Sequence, residues 1–173
     1  RLVLFGMESA NQSTLDRLMK GVKVEEILEG AKAASQAGLN VHVTVMFGYP
    51  WEGEQEIANT VCLARKLLRK GYAYTLQVTM VVPYPGTPLF RELDQNGLLL
   101  TRNWDDYDMR RQVMKSGVPE EVIKGAVRQV YKAFLHPETI LRRIATTRDP
   151  VEDLKFYWRG FLSLAGHLRD FKA

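Results

Sequence analysis

The chain has 173 residues, 46% of them hydrophobic and 25% charged, with 24 Lys and Arg against 20 Asp and Glu. That composition suits a globular chain with its own core, and no apolar run reaches the roughly 18 residues needed to span a bilayer. A single cysteine, Cys62, excludes an internal disulfide or a Cys-rich metal site. The net charge of +4 is spread among acidic residues, so it reads as a solvated surface rather than a nucleic-acid face, and a cytoplasmic protein is expected.

The chain opens Arg1-Leu2-Val3-Leu4-Phe5-Gly6, already inside an apolar strand pattern and without Met or a capping residue. This start predicts a piece of a longer polypeptide. Leu2–Phe5 is the first strand, followed by a short helix capped by Ser13 that buries Leu15, Leu18 and Met19. Val24, Ile27, Leu28, Ala31 and Ala34 keep helical spacing, and Gly38 ends that helix. Val41–Phe47 is the second strand. Ile57, Val61, Ala64, Leu67 and Leu68 form the next stripe, ended by Gly71, with Cys62 beside it as a small core residue. Thr75–Val82 is the third strand.

Strands joined by such helices read as βαβαβ, so the sheet should be parallel with right-handed crossovers. Thr87-Pro88 opens a further helix that Gly97 closes. From Trp104 the pattern is helical throughout. Val122, Ile123, Ala126, Val127, Val130, Tyr131 and Phe134 form one stripe behind Pro119, and Pro137 starts a helix with Ile140, Leu141 and Ile144. Asp149-Pro150-Val151-Glu152 reads as the start of a last helix, with Leu154, Tyr157, Trp158, Phe161, Leu164 and Leu168 inward. Residues 1–100 are thus the α/β part and residues 101–173 a helical tail. Three parallel strands need cover on both faces and both edges, which predicts the second half of a larger barrel or open sheet. The open side of the first strand predicts self-association.

Parallel α/β folds bind ligands at the C-terminal ends of their strands. The first such loop holds Gly6-Met7-Glu8-Ser9-Ala10-Asn11-Gln12-Ser13. Glu8 can accept from ribose hydroxyls or an ammonium group, and Ser9 or Asn11 can donate to a carboxylate; capping the short helix is the alternative. The second is Gly48-Tyr49-Pro50-Trp51-Glu52-Gly53-Glu54, where exposed Tyr49 and Trp51 would wall a flat ligand, or Glu52 and Glu54 would simply favour a helix N-terminus. In the third, Val82-Pro83-Tyr84-Pro85-Gly86-Thr87-Pro88, prolines extend a backbone that can pair with a base edge. No nucleophile elbow, P-loop or dinucleotide fingerprint is present. His42 reads as structural, and neither His136 nor His167 has a metal-ligand partner at helical spacing.

Taken in order, Phe5-Gly6-Met7-Glu8-Ser9, Met19-Lys20-Gly21, Met46-Phe47-Gly48-Tyr49-Pro50-Trp51-Glu52 and Pro83-Tyr84-Pro85-Gly86-Thr87-Pro88-Leu89 resemble the later part of a radical S-adenosylmethionine (SAM) core. The group most resembled carries an upstream cobalamin-binding domain and includes anaerobic magnesium-protoporphyrin monomethyl ester cyclases and related methylases. Tyr131-Lys132-Ala133-Phe134-Leu135-His136-Pro137 is similar to a helix break in that group's tail. The resemblance implies the C-terminal half of a partial (βα)6 TIM-like barrel, strands four to six, followed by the helical tail. It implies that Glu8 and Ser9 contact the SAM ribose or amino acid moiety and that Lys20 meets the SAM carboxylate. Gly48, Tyr49 and Pro50 would border adenine, as would backbone at Val82 and Pro83.

The resemblance further implies a parent enzyme that reductively cleaves SAM at a [4Fe–4S] cluster for oxidative cyclisation or methylation, with cobalamin as a further cofactor and a small molecule such as a tetrapyrrole as substrate. Bacteriochlorophyll biosynthesis is the setting this suggests. The family's CxxxCxxC and Gly-rich second-strand motif are absent from these residues, so they are expected to need the upstream part of the same polypeptide and to be inactive alone. Trp104, Tyr107, Arg110 and Arg111 would line the barrel mouth. Two other readings stand beside this one. A fragment of a different α/β-barrel enzyme would want a Gly-rich phosphate loop where the prolines of 82–88 sit. An RNA-binding module would need Lys66, Arg69, Lys70, Arg142, Arg143 and Arg148 on one face.

Overall fold

Three β-branched runs pair into one parallel sheet, in the order β1 (Leu2–Glu8), β2 (Asn40–Phe47), β3 (Thr75–Met80). This computed structural model describes residues 1–146 together with Val151, Leu154, Lys155, Trp158 and Arg159. Two short helices, α1 (Gln12–Arg17) and α2 (Val24–Gln36), lead from β1 to β2, and α3 (Glu54–Arg69) leads from β2 to β3. Then follow α4 (Pro88–Gln95), a 3-10 turn at Trp104–Asp106, α5 (Glu120–Phe134) and α6 (Pro137–Thr146). The architecture is an α/β partial barrel, three parallel strands with crossover helices, followed by a helical tail.

Register explains which side of the sheet is core. Val3 and Phe5 pair with Val41 and Val43, while Val43, Val45 and Phe47 pair with Leu76, Val78 and Met80, so these side chains share one face. On β2 every second residue is buried, as a sheet covered on one face requires. Helices α2, α3 and α5 close that face, and Ile57, Val61, Ala64, Leu67, Ile123, Val127 and Val130 join the strand residues in one core. Helix α5 reaches across to β3, where burial raises the Tyr131 hydroxyl's pKa against a bond to Val78 backbone.

The opposite face carries Leu2, Leu4, His42, Thr44, Gln77 and Thr79, none of them buried. Leu2 and Leu4 are 66% and 65% exposed, and among the described residues the outer edge of β1 has no strand partner. The outer edge of β3 is met at Met80, whose N–H donates to the Met109 carbonyl (3.1 Å). His42 Nδ1 pairs with Thr75 Oγ1 at 2.6 Å, a link between neighbouring strands, as its structural reading expected.

Several details differ from the sequence reading. Strand β1 runs on to Glu8, and β3 stops at Met80 rather than Val82. Asn11, not Ser13, is the N-cap of α1, because the chain is still extended there (φ −116°, ψ 120°) and its carbonyl already accepts from Thr14 and Leu15. Met19 is 84% exposed with φ 53°, where the chain turns out of α1, and Leu18 is only half-buried. Cys62 is exposed rather than core, since a one-residue step from Val61 turns it about 100° to the solvent side. Leu154 and Trp158 are 59% and 64% exposed rather than inward. The expected cap at Asp149-Pro150-Glu152 and the inward positions Tyr157, Phe161, Leu164 and Leu168 lie outside the described residues, as does His167. The Thr87 cap holds: its Oγ1 accepts from Phe90 N–H at 3.2 Å, with Pro88 at the first helical position.

Candidate functional site

The loops following β1 and β2 meet at the C-terminal end of the sheet and are tied together by a buried polar network. Glu52, 1% exposed, is its hub. Its Oε1 accepts from Ser9 Oγ (2.6 Å) and Thr14 Oγ1 (2.7 Å), with a longer bond from Asn11 Nδ2 (3.4 Å). Asn11 Nδ2 also donates to Ser9 Oγ (2.9 Å) and to the Glu56 carbonyl (2.9 Å), while its Oδ1 accepts from Asn59 (2.9 Å). The Ala10 N–H donates to Thr60 Oγ1 at 3.0 Å. Ser9, Thr14 and Thr60 are fully enclosed. Glu52 Oε2 is buried and has no hydrogen-bond partner among the described residues.

This network decides what each loop residue can offer a ligand. Ser9 has committed its proton to Glu52, so it serves the loop's shape. Glu8, next to it, projects from the uncovered face and pairs with Lys20 (2.9 Å), their side chains 18% and 32% exposed. Glu8 has φ 57°, and the β1–β2 register shifts between Gly6 and Glu8. Strand alternation turns enclosed Met7 into the core with Val3 and Phe5 and leaves Glu8 on the side of Leu4 and Gly6. Gly6 makes room for the pair: a Cβ there would lie 2.5 Å from Glu8 Oε1 and 2.7 Å from Lys20 Nζ.

Tyr49 is 2% exposed, which corrects the expectation of an exposed aromatic wall. Gly48 turns the chain with φ 98°, and Tyr49 folds back into a cluster with Val81, Leu93 and Met114, stacked on Trp51 at 5.3 Å. Burial first, then the charges of Glu8 and Glu52, raise the pKa of the Tyr49 hydroxyl, so it stays a neutral donor at any ordinary pH. Trp51, half-buried, donates its Nε1–H to Thr14 (3.2 Å) and lies under the Arg17 guanidinium, 3.9 Å from the ring centre. Arg17 in turn pairs with Glu92 of α4 (2.8 Å). Helix α1, the loop after β2 and α4 are thereby linked.

Gly48 and Pro50 frame this turn, and the Val82 side chain is buried with Tyr107 and Val113. Trp104 packs edge-on to Tyr107 (5.0 Å), Arg111 pairs with Asp106 (3.0 Å) and Arg110 reaches Asp108 (3.9 Å). All these contacts lie within the segment between α4 and α5. The basic residues scattered in sequence converge more than expected: Arg65, Lys66, Arg69, Lys70 and Arg142 line one groove of about 810 Å³ between α3, α5 and α6. Glu54 and Glu138 share that lining, and Arg69 pairs with Glu138 (3.0 Å). No described helix is long and apolar enough to cross a membrane, and no described group of three His, Cys, Asp or Glu residues could hold a metal.

The sequence reading missed Glu52 as a hub, because a Glu before a helix is indistinguishable from a dipole partner. Thr60 was the available signal, a polar residue on the buried stripe of α3. No family model matches the chain. It is 35% identical over 144 residues to an uncharacterized methyltransferase of Pyrococcus horikoshii, covering 82% of this chain and 30% of that protein. It is 26% identical over 153 residues to the bacteriochlorophyllide d C-8(2)-methyltransferase of Chlorobaculum tepidum, covering 84% of this chain and 32% of that protein. The chain therefore spans about a third of the length of the curated relatives it matches, and its named relatives are methyltransferases.

Proposed function

We propose that this chain is the C-terminal half of a radical SAM barrel with its tail, from a methyltransferase acting on a small molecule of the tetrapyrrole class. The observation that carries the reading is the Glu8–Lys20 pair at the strand end of a chain similar to methyltransferases. A carboxylate beside an ammonium is one acceptor and one donor, each of which a zwitterionic amino acid moiety can meet with its opposite charge. The SAM ammonium would exchange onto Glu8 and the SAM carboxylate onto Lys20, both partly exposed on the uncovered face. Tyr49, enclosed beneath the turn, backs it with a neutral hydroxyl that can donate or accept. Gly48 and Pro50 would border the flat ring, and the backbone of Val82 and Pro83 would supply the remaining edge. When bound, SAM supplies the methyl group.

These residues do not fit a [4Fe–4S] cluster, which takes three protein thiolates, whereas the one cysteine here is exposed on α3. In this reading the cluster ligands and any cobalamin site belong to other parts of the polypeptide, and those parts cover the face that carries Leu2, Leu4 and Thr44. Residues 1–173 alone are then inactive. The test is the full-length protein reconstituted anaerobically with iron and sulfide. An iron–sulfur chromophore, SAM cleavage on reduction and transfer of label from methyl-labelled SAM to a tetrapyrrole are the expected results. Methyl transfer without any iron–sulfur chromophore would overturn the radical reading, and failure to bind SAM would overturn the whole.

A further inference from the structure

We infer that Glu52 is a positioning residue for the SAM site, and that it acts as a hydrogen-bond acceptor through Oε1 alone. The inference rests on the SAM reading above and deepens it. A buried carboxylate usually spreads its charge over donors on both oxygens, because each unpaired lone pair in the interior is costly. Glu52 does not. Its short bonds from Ser9 and Thr14 converge on Oε1, the longer one from Asn11 does too, and Oε2 receives nothing.

The three donors come from distinct places along the chain: the strand end after Glu8, the start of α1 and the helix itself. Glu52 belongs to the turn after β2. One oxygen atom therefore sets where the β1 loop stands relative to the β2 turn. Glu8 is covalently next to Ser9, and Tyr49 is three residues before Glu52, so the two sides of the ligand site inherit their spacing from this junction. Thr14 also accepts from Trp51, whose ring stacks on Tyr49, which ties the aromatic side into the same set. Glu52 has its carbonyl against Gly117, where a Cβ would lie 2.4 Å away, so the segment before α5 backs the turn.

Charge and geometry make opposite predictions for one substitution. Glu52→Gln keeps a carbonyl oxygen where the three donors point and places the amide NH2 where the structure shows no partner. If Oε1 alone does the positioning, SAM affinity in Glu52→Gln stays within about threefold of wild type. Glu52→Ala removes the acceptor, orphans Ser9 and Thr14, and weakens SAM binding about tenfold or more. Thr14→Val, which removes one of the two short bonds, falls between.

The experiment uses the full-length protein, with SAM dissociation constants from isothermal titration calorimetry and turnover measured at saturating SAM. The expected result is a rise in Kd and KM for SAM in Glu52→Ala and Thr14→Val, with kcat held within about threefold, and Glu52→Gln close to wild type. Glu52→Gln as weak as Glu52→Ala would overturn the single-acceptor role. Unchanged SAM affinity in Thr14→Val would overturn positioning altogether, even if Glu52→Ala does not fold. No SAM binding by wild type would instead remove the proposed function beneath it.

Discussion

Replacing Gly6 by Ala separates the Glu8–Lys20 pair from the stability of the strand that carries it. A Cβ at Gly6 would lie 2.5 Å from Glu8 Oε1 and 2.7 Å from Lys20 Nζ, both too close to persist. The atoms that must give way are the far ends of two flexible side chains, and Gly6 is not among the left-handed glycines, so alanine adopts its backbone without strain. The partly exposed pair contributes about 0.2–1 kcal/mol. Losing glycine's unfolded-chain entropy returns about 0.4–1 kcal/mol. The net change in stability is therefore within about 1 kcal/mol of zero. A ligand that needs both charges in place loses one or more charge-assisted bonds, about 1.5–3 kcal/mol, which is roughly tenfold to a hundredfold in affinity. Chemical denaturation and SAM titration on the same full-length preparation read the two quantities. Unchanged SAM affinity at unchanged stability would refute the assignment of the pair to the ligand. A stability loss above about 3 kcal/mol would refute the argument that only side chains need move.

Gly117→Ala has the opposite character: its Cβ would meet the Glu52 backbone oxygen at 2.4 Å, so main chain must shift, and a loss of about 2–4 kcal/mol is expected in urea denaturation. A chain of these 173 residues, with Leu2 and Leu4 exposed along an unpaired strand edge, should self-associate in a concentration-dependent way. Leu4→Lys should shift sedimentation toward monomer, and a clean wild-type monomer at high concentration would remove the edge argument. Cys62, exposed on α3, should react with a maleimide in the native state of this chain at a rate near that in denaturant. Protection of more than about tenfold would place it in the core after all.

Much of the fold was legible because hydrophobic period is a local property. The alternation in 40–47 and the stripes of α3 and α5 reproduce their neighbours' demands residue by residue, so strands, helices and parallel order followed from spacing. Errors fell where one residue step matters. Cys62 and Val61 differ by a single turn angle, and periodicity alone did not separate them. Leu154 and Trp158 continue an inward pattern, but nothing in the pattern says whether a surface waits to receive them.

The site divides in the same way. Glu8, Ser9 and the Gly48 turn were singled out because strand ends in a parallel sheet are where loops gather, and Lys20 through the family resemblance alone. Their roles were decided only in three dimensions. Ser9 is spent on Glu52, 43 positions away, and Tyr49 is enclosed by residues of α4 and the segment before α5. By itself the sequence determined a parallel α/β sheet with helical crossovers, one cysteine and a cluster of ligand-capable loops, all properties of local pattern and composition. Which polar groups face a ligand and which hold the loops together was decided by tertiary structure, because a hydrogen-bond partner is chosen by distance in space, and neighbouring positions in the chain carry no record of it.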